Sequence, residues 1–418
     1  AESSGAEEVS VGVARAATPE ERAAIDELLR AAEAVRQLKL RKPVSIEIED
    51  GAAIALSLRS QIEVDELERA RTIYGSLGLL DTESDLEGMF AAVLGEQVIG
   101  YYDPDTRRLV VRDTVMAALT GDPTSEETQE ARLVLIHELV HALQDQRLGL
   151  GEQYEKDRTA DADNAFRAVV EGDATLAMLA HALRQQGIPL SAGIQGIQQM
   201  GGYLDLNALV SGEKLDDAPA IVRVTLVAPY LRGLQFTAAV QGRGGWPAVN
   251  NAHRRPPVST EQVIHPEKYF GREPAEVVAI PEHPELLDSG FERVEENTLG
   301  ELELSVYLGQ TTESETNEAA AAGWAGDHLA VFRRNDELAA VWWTTWDTER
   351  DAQEAFEAAK AVAADDPLAV VELRGRSVLI ARGIPPKLHR AVKNRFVSFA
   401  RSIESRPAPP EVRPSPVY

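Results

Sequence analysis

Cysteine is missing from this 418-residue chain. Disulfides and thiolate metal sites are therefore excluded, and any bound metal must be held by nitrogen and oxygen. Basic residues are outnumbered, with 42 Lys and Arg against 68 Asp and Glu and a formal net charge of −26. That balance argues against nucleic acid or an anionic membrane surface as a partner. No apolar run approaches the roughly 18 residues that a membrane-spanning helix needs, so no transmembrane segment is expected. No internal repeat is evident. Gly242-Arg243-Gly244-Gly245-Trp246 lacks the strand and lysine of a phosphate loop and reads as a turn into a helix.

Histidine is also sparse, at 8 residues, yet two of them sit four apart in His137-Glu138-Leu139-Val140-His141. On a helix this spacing puts both imidazoles on one face, within reach of a single ion. The preceding stretch, Leu133-Val134-Leu135-Ile136, and the following Ala142-Leu143 make the segment apolar nearly all round, as in a buried helix. Buried histidines need partners or a metal. Zn2+ is the cofactor expected for a cysteine-free H-E-x-x-H, with His137 and His141 as ligands. Glu138 is turned by about 100° from His137, so it flanks the ion as a candidate catalytic base. A helix start is expected at Thr124 with Glu127 as a capping box.

A catalytic zinc takes three protein ligands and leaves a position open. The next helical pattern covers residues 160–185 and contains Val169-Val170-Glu171-Gly172-Asp173-Ala174-Thr175. Glu171 follows two apolar β-branched residues and is expected to face the core, where a carboxylate requires a partner. It is the candidate third ligand. A salt bridge to Arg167 is the plainer alternative, and Asp173 and His181 are weaker candidates. Gly149 and Gly151 allow the chain to turn between the two helices.

Three stretches together resemble a family. They are Gly100-Tyr101-Tyr102-Asp103-Pro104, then residues 137–146 from His137 to Gln146, then Val170-Glu171-Gly172-Asp173-Ala174-Thr175. The set is similar to the gluzincin group of zinc metallopeptidases, and more narrowly to bacterial secreted proteins described as metallopeptidases. The resemblance implies peptide-bond hydrolysis, a peptide or protein substrate and an extracytoplasmic location. Ala1 in place of Met is expected either for a mature exported chain without its signal peptide or for a chain trimmed at its start. The resemblance also implies an oxyanion donor beyond the Glu171 helix, with His265 the first candidate and Tyr230 the second. It further implies that the hairpin at residues 97–112 presents an edge strand to the substrate. Two departures stand out. Gluzincins carry an acid four residues after the third ligand, where this chain has Thr175, so Asp145 or Asp173 would have to orient a ligand histidine. The 29 residues between His141 and Glu171 also exceed the usual gluzincin gap. His253, His283, His328 and His389 belong to no constellation and are expected in structural or surface roles.

The expected fold class is α+β. A flexible tail (1–17) precedes a mostly helical, zincin-like domain with a small N-terminal sheet (18–285). A smaller C-terminal α+β domain (286–403) and a Pro-rich tail (404–418) follow. Helices are expected after Thr18-Pro19, at 62–76, 84–94, 221–239, 348–363 and 386–402. Strands are expected at 44–48, 301–308, 328–333, 337–345, 368–373 and 377–381. Residues 190–206 read as either a cleft wall or an irregular connection. Trp342, Trp343 and Trp346 fall on one strand, and core packing is the stronger reading for them. Two rival functions remain at this level: a zinc hydrolase of a non-peptide amide such as a cell-wall component, and a catalytically silent zinc-containing scaffold.

Overall fold

The computed structural model describes residues 12–61, 64–97, 100–154, 156–200, 213–279, 282–314 and 316–404. It is α+β, mostly helical, with two small sheets. The first sheet has the order β1-β2-β4-β3, from strands Ala14–Ala16, Ser45–Glu49, Gly100–Asp103 and Arg108–Arg112. β2 and β4 run parallel, while β3 closes a hairpin against β4 and leaves its other side as a sheet edge. Ile46, Ile48, Leu109 and Val111 face a core shared chiefly with four long helices. These are Pro19–Arg36, Glu126–Leu148, Ala160–Gln185 and the long run Ala220–Arg254.

Local chemistry sets where these helices begin. Thr18 and Glu21 form the expected capping box, with Pro19 in the first turn. The Glu126–Leu148 helix is capped one residue later than expected. Ser125 Oγ accepts the Thr128 N–H at 3.1 Å, while Thr124 is held by the Asp122 carboxylate. The helix stops at Gly149, whose φ of 73° suits glycine. The Ala220–Arg254 run is two helices, broken at Gly244 and Gly245. Residues 190–200 are helical. Residues 98–99 of the expected strand and 201–206 of the ambiguous segment lie outside the described residues.

The second sheet is fully antiparallel, with order β5-β6-β7-β9-β8: Glu292–Asn297, Trp324–Arg334, Glu337–Trp346, Ser377–Arg382 and Val370–Arg374. Helices cover both faces. Trp342 and Trp346 point to one face with Leu329 and Val378. Trp343 points to the other with Phe332 and Phe396. All three tryptophans are therefore buried in spite of their alternation. One expectation fails here. Residues 301–308 form the helix Gly300–Gly309, not a strand. Glu301, Glu303 and Ser305 alternate with Leu302, Leu304 and Val306 as in a strand, yet every residue of the helix is buried, the two glutamates included.

The two halves interlock across residue 285. Ile73 and Leu77 of the helix Val64–Leu77 complete the core of the second sheet. Leu302 and Val306 pack with Ile221, Val222 and Val224 of the long run.

Candidate metal centre

The Glu126–Leu148 and Ala160–Gln185 helices bring His137, His141 and Glu171 to one point. His137 Nε2 and His141 Nε2 lie 3.0 Å apart. Glu171 Oε2 is 3.1 Å from the first and 3.4 Å from the second. A tetrahedral ion with bonds of about 2.0–2.1 Å requires its donors to be about 3.3 Å apart. The three donor atoms therefore already have the spacing of a zinc ligand set. All three groups are nearly enclosed, the histidines at 8% and 9% exposure. The Arg167 alternative does not arise, because Arg167 pairs with Asp163 at 2.7 Å.

A hydrogen-bond chain fixes how His141 is presented. The Gln144 amide nitrogen donates to Val170 O and to Asp173 Oδ2, each at 3.0 Å. Both partners are acceptors, so this atom is the NH2 group and Oε1 must face His141. Oε1 accepts from His141 Nδ1 at 2.9 Å. In the neutral ring Nε2 then presents a lone pair toward His137 and Glu171. Asp173 is anchored in turn by Arg36 Nε at 2.6 Å and by His253 Nε2 at 2.8 Å. Arg36 also bonds Asn250 and lies over the Trp246 ring. Asp173 thus reaches His141 through Gln144, a service the position of Thr175 does not supply. Asp145 instead accepts the Tyr102 hydroxyl at 2.8 Å.

Electrostatics describe the same convergence. Burial lowers the pKa of His141, but Glu171 and Glu138 override it and raise it to about 10. Burial raises Glu171, yet the two histidines hold it well below the usual carboxylate range. In this arrangement a proton occupies the place where a cation would neutralise the carboxylate.

Glu138 contributes a donor atom within 4.8 Å of the histidine nitrogens. Its Oε2 is held by the Tyr102 N–H of β3 at 3.1 Å, so it links the edge strand to the candidate ligand group. Burial raises its pKa, and His141 and His137 offset part of the rise.

Tyr230, from the long helix, joins this group. Its ring stacks on His137 with centroids 5.9 Å apart. It is 40% exposed. Its hydroxyl pKa is raised well above normal, first by the Glu171 charge and then by burial. The placement depends on glycine. A methyl on Gly172 would sit 2.1 Å from Gly233 backbone, and one on Gly233 would sit 2.2 Å from Ala168 O. The two helices cross with their backbones in contact, one residue from Glu171 and three from Tyr230. His265 bonds no member of this group among the described residues. Its Nε2 bonds Glu301 at 2.9 Å, and among the described residues its one other ion pair is with Glu267. His181 bonds Gln185.

Sequence reasoning missed Gln144, Arg36, Asn250 and His253. Gln144 was detectable as the residue three after His141 on the same helix face. Arg36 gave no signal, being 137 residues from its partner.

Comparison with known proteins adds one finding. The profile of a domain of unknown function (DUF8575) matches residues 286–391, the region of the second sheet. No curated protein matches the chain, and no solved structure does.

Proposed function

We propose that the protein is a zinc-dependent metallopeptidase, with His137, His141 and Glu171 as zinc ligands and Glu138 as the base. The observation that carries this reading is the meeting of three potential ligand atoms at 3.0–3.4 Å, one of them turned to the site by the bond from His141 Nδ1 to Gln144. Bound zinc would supply Lewis acidity and lower the pKa of a water to about 7.

The chain's own groups have separable roles in this reading. Oε2 of Glu138 is occupied by the Tyr102 N–H, which leaves Oε1 to take the proton of the attacking water. Its raised pKa keeps Glu138 basic enough to accept that proton and acidic enough to pass it to the leaving amine. The neutral Tyr230 hydroxyl keeps its proton and can donate to the oxyanion. The outer side of β3 is the edge along which an extended peptide would pair. Tyr102 C=O faces the same side as its N–H and is free to accept from a paired peptide strand in this reading. The zincin-like fold and the extracytoplasmic setting rest on the resemblance of the three motif stretches to secreted bacterial metallopeptidases.

Glu138→Gln tests the role of the base. Zinc content should be unchanged, while hydrolysis of a peptide library falls by about 10²-fold or more. Cleavage at the wild-type rate would remove Glu138 from the mechanism.

A further inference from the structure

The chain carries no Asp or Glu from Ala218 to Thr260, although it has 68 acids, and five arginines fall in that stretch. Two of them, Arg254 and Arg255, meet Arg272 around a cavity of 760 Å³. The volume lies in the range of small-molecule sites. A fourth, Arg243, lies over the Phe270 ring at 4.4 Å, and Phe270 lines the same cavity. None of the four guanidinium groups makes an ion pair among the described residues. The acid at the rim, Glu273, is engaged by Lys268 at 3.3 Å.

The walls are fixed by bonds that do not use the arginine side chains. Gln262 Oε1 accepts the Val258 N–H at 2.9 Å, and its amide donates to Glu273 O at 2.5 Å. The Tyr269 hydroxyl donates to Arg255 O at 3.0 Å. Tyr269 itself packs edge-on against Phe236. Burial raises the Tyr269 pKa, and the nearby charges of Arg255 and Arg272 moderate the rise. The cavity is therefore pre-formed, lined by guanidinium groups without an ion pair among the described residues and by aromatic and proline surface, with the Arg254 guanidinium bonded to the Asn251 amide oxygen at 3.3 Å.

We propose that this cavity binds a compact organic anion, a phosphate or carboxylate group carried on a small ring. The forked guanidinium donors match either anion. The ring would cover Tyr269 and Pro256. A long polyanion would meet the chain's net charge of −26 beyond the patch, which favours a small ligand. The site is distinct from the metal group and shares no lining residue with it.

Calorimetric titration of the full chain with phenyl phosphate, and separately with inorganic phosphate, tests the proposal. Phenyl phosphate should bind saturably, more tightly than inorganic phosphate, and more weakly as salt rises. Arg255→Ala/Arg272→Ala should weaken it by about tenfold or more. The double Lys variant should recover part of the loss, and His137→Ala should change nothing. Absence of saturable binding, or equal binding by the double Ala variant, would overturn the site. Loss of binding in His137→Ala would relocate it to the metal group. Equal affinity for the two probes would refute the contribution of the ring.

Discussion

The contact between Gly172 and Gly233 gives the sharpest structural prediction. In Gly233→Ala the new methyl would lie 2.2 Å from Ala168 O and 3.0 Å from Gly172 Cα. Non-bonded atoms of this kind settle at about 3.5 Å, so the helices must part by roughly 1 Å. Overpacking of this kind typically costs about 1–3 kcal/mol. The functional effect should be larger than the stability effect. Tyr230 lies one turn before Gly233 and moves with its helix, away from Glu171 and His137. A misplacement of about 1 Å at reacting groups can cost about 10²-fold in rate. Denaturant unfolding, zinc analysis and peptide hydrolysis would be measured on the same preparation. The expected outcome is a folded, zinc-loaded protein, modestly destabilised, with kcat reduced by about two orders of magnitude. Gly172→Ala should in addition weaken zinc retention, because Glu171 is its neighbour. Wild-type stability and wild-type kcat in Gly233→Ala would refute the claim that this crossing positions the site.

Two further outcomes follow from particular groups. Tyr230→Phe should lower kcat by about 10²-fold with little change in KM, whereas His265→Ala should leave kcat unchanged and cost stability through Glu301; the reverse ranking would return the oxyanion role to His265. Stability should also fall as the pH rises from 6 to 9. Burial raises Asp161 to about 8, Glu303 to about 8 and Glu261 to about 7. Each binds its proton more tightly when folded than when unfolded, where its pKa is about 4. Its contribution is therefore complete below about pH 4 and lost as the pH passes through about 7–8. Thermal melts across pH 6–9 should show the decline, and Asp161→Asn should flatten it; a melting temperature that rises over that window would contradict the assignment.

The candidate centre was legible because its chemistry is local. His137 and His141 are one helical turn apart, and helix geometry alone places them together. Glu171 could be singled out by the apolar pair before it. What surrounds these groups was less legible, since it depends on contacts across the chain. Arg36 and His253 meet Asp173, and Asn250 meets Arg36, only after three helices have packed. His253 on its own looks like any helix C-terminal histidine. Tyr230 ranked below His265 because no sequence signal marks a helix crossing. The glycines that create it, Gly172 and Gly233, are 61 positions apart. Residues 301–308 look like a strand for a related reason: polar and apolar residues alternate there, and the burial of Glu301 and Glu303 comes only from contacts across the chain. The second sheet's hairpins and tryptophan strand were readable from alternation and turn residues. The insertion of Ile73 and Leu77 into that sheet's core was not.

The central claim is that His137, His141 and Glu171 hold one ion. Metal analysis of the purified protein, combined with X-ray absorption at the zinc edge, measures this most directly. The account predicts one zinc per chain with two imidazole nitrogens and a carboxylate oxygen at about 2.0–2.1 Å, and loss of that zinc in both His137→Ala and Glu171→Ala. A zinc-free protein after purification with added zinc, or full zinc occupancy in those variants, would contradict it.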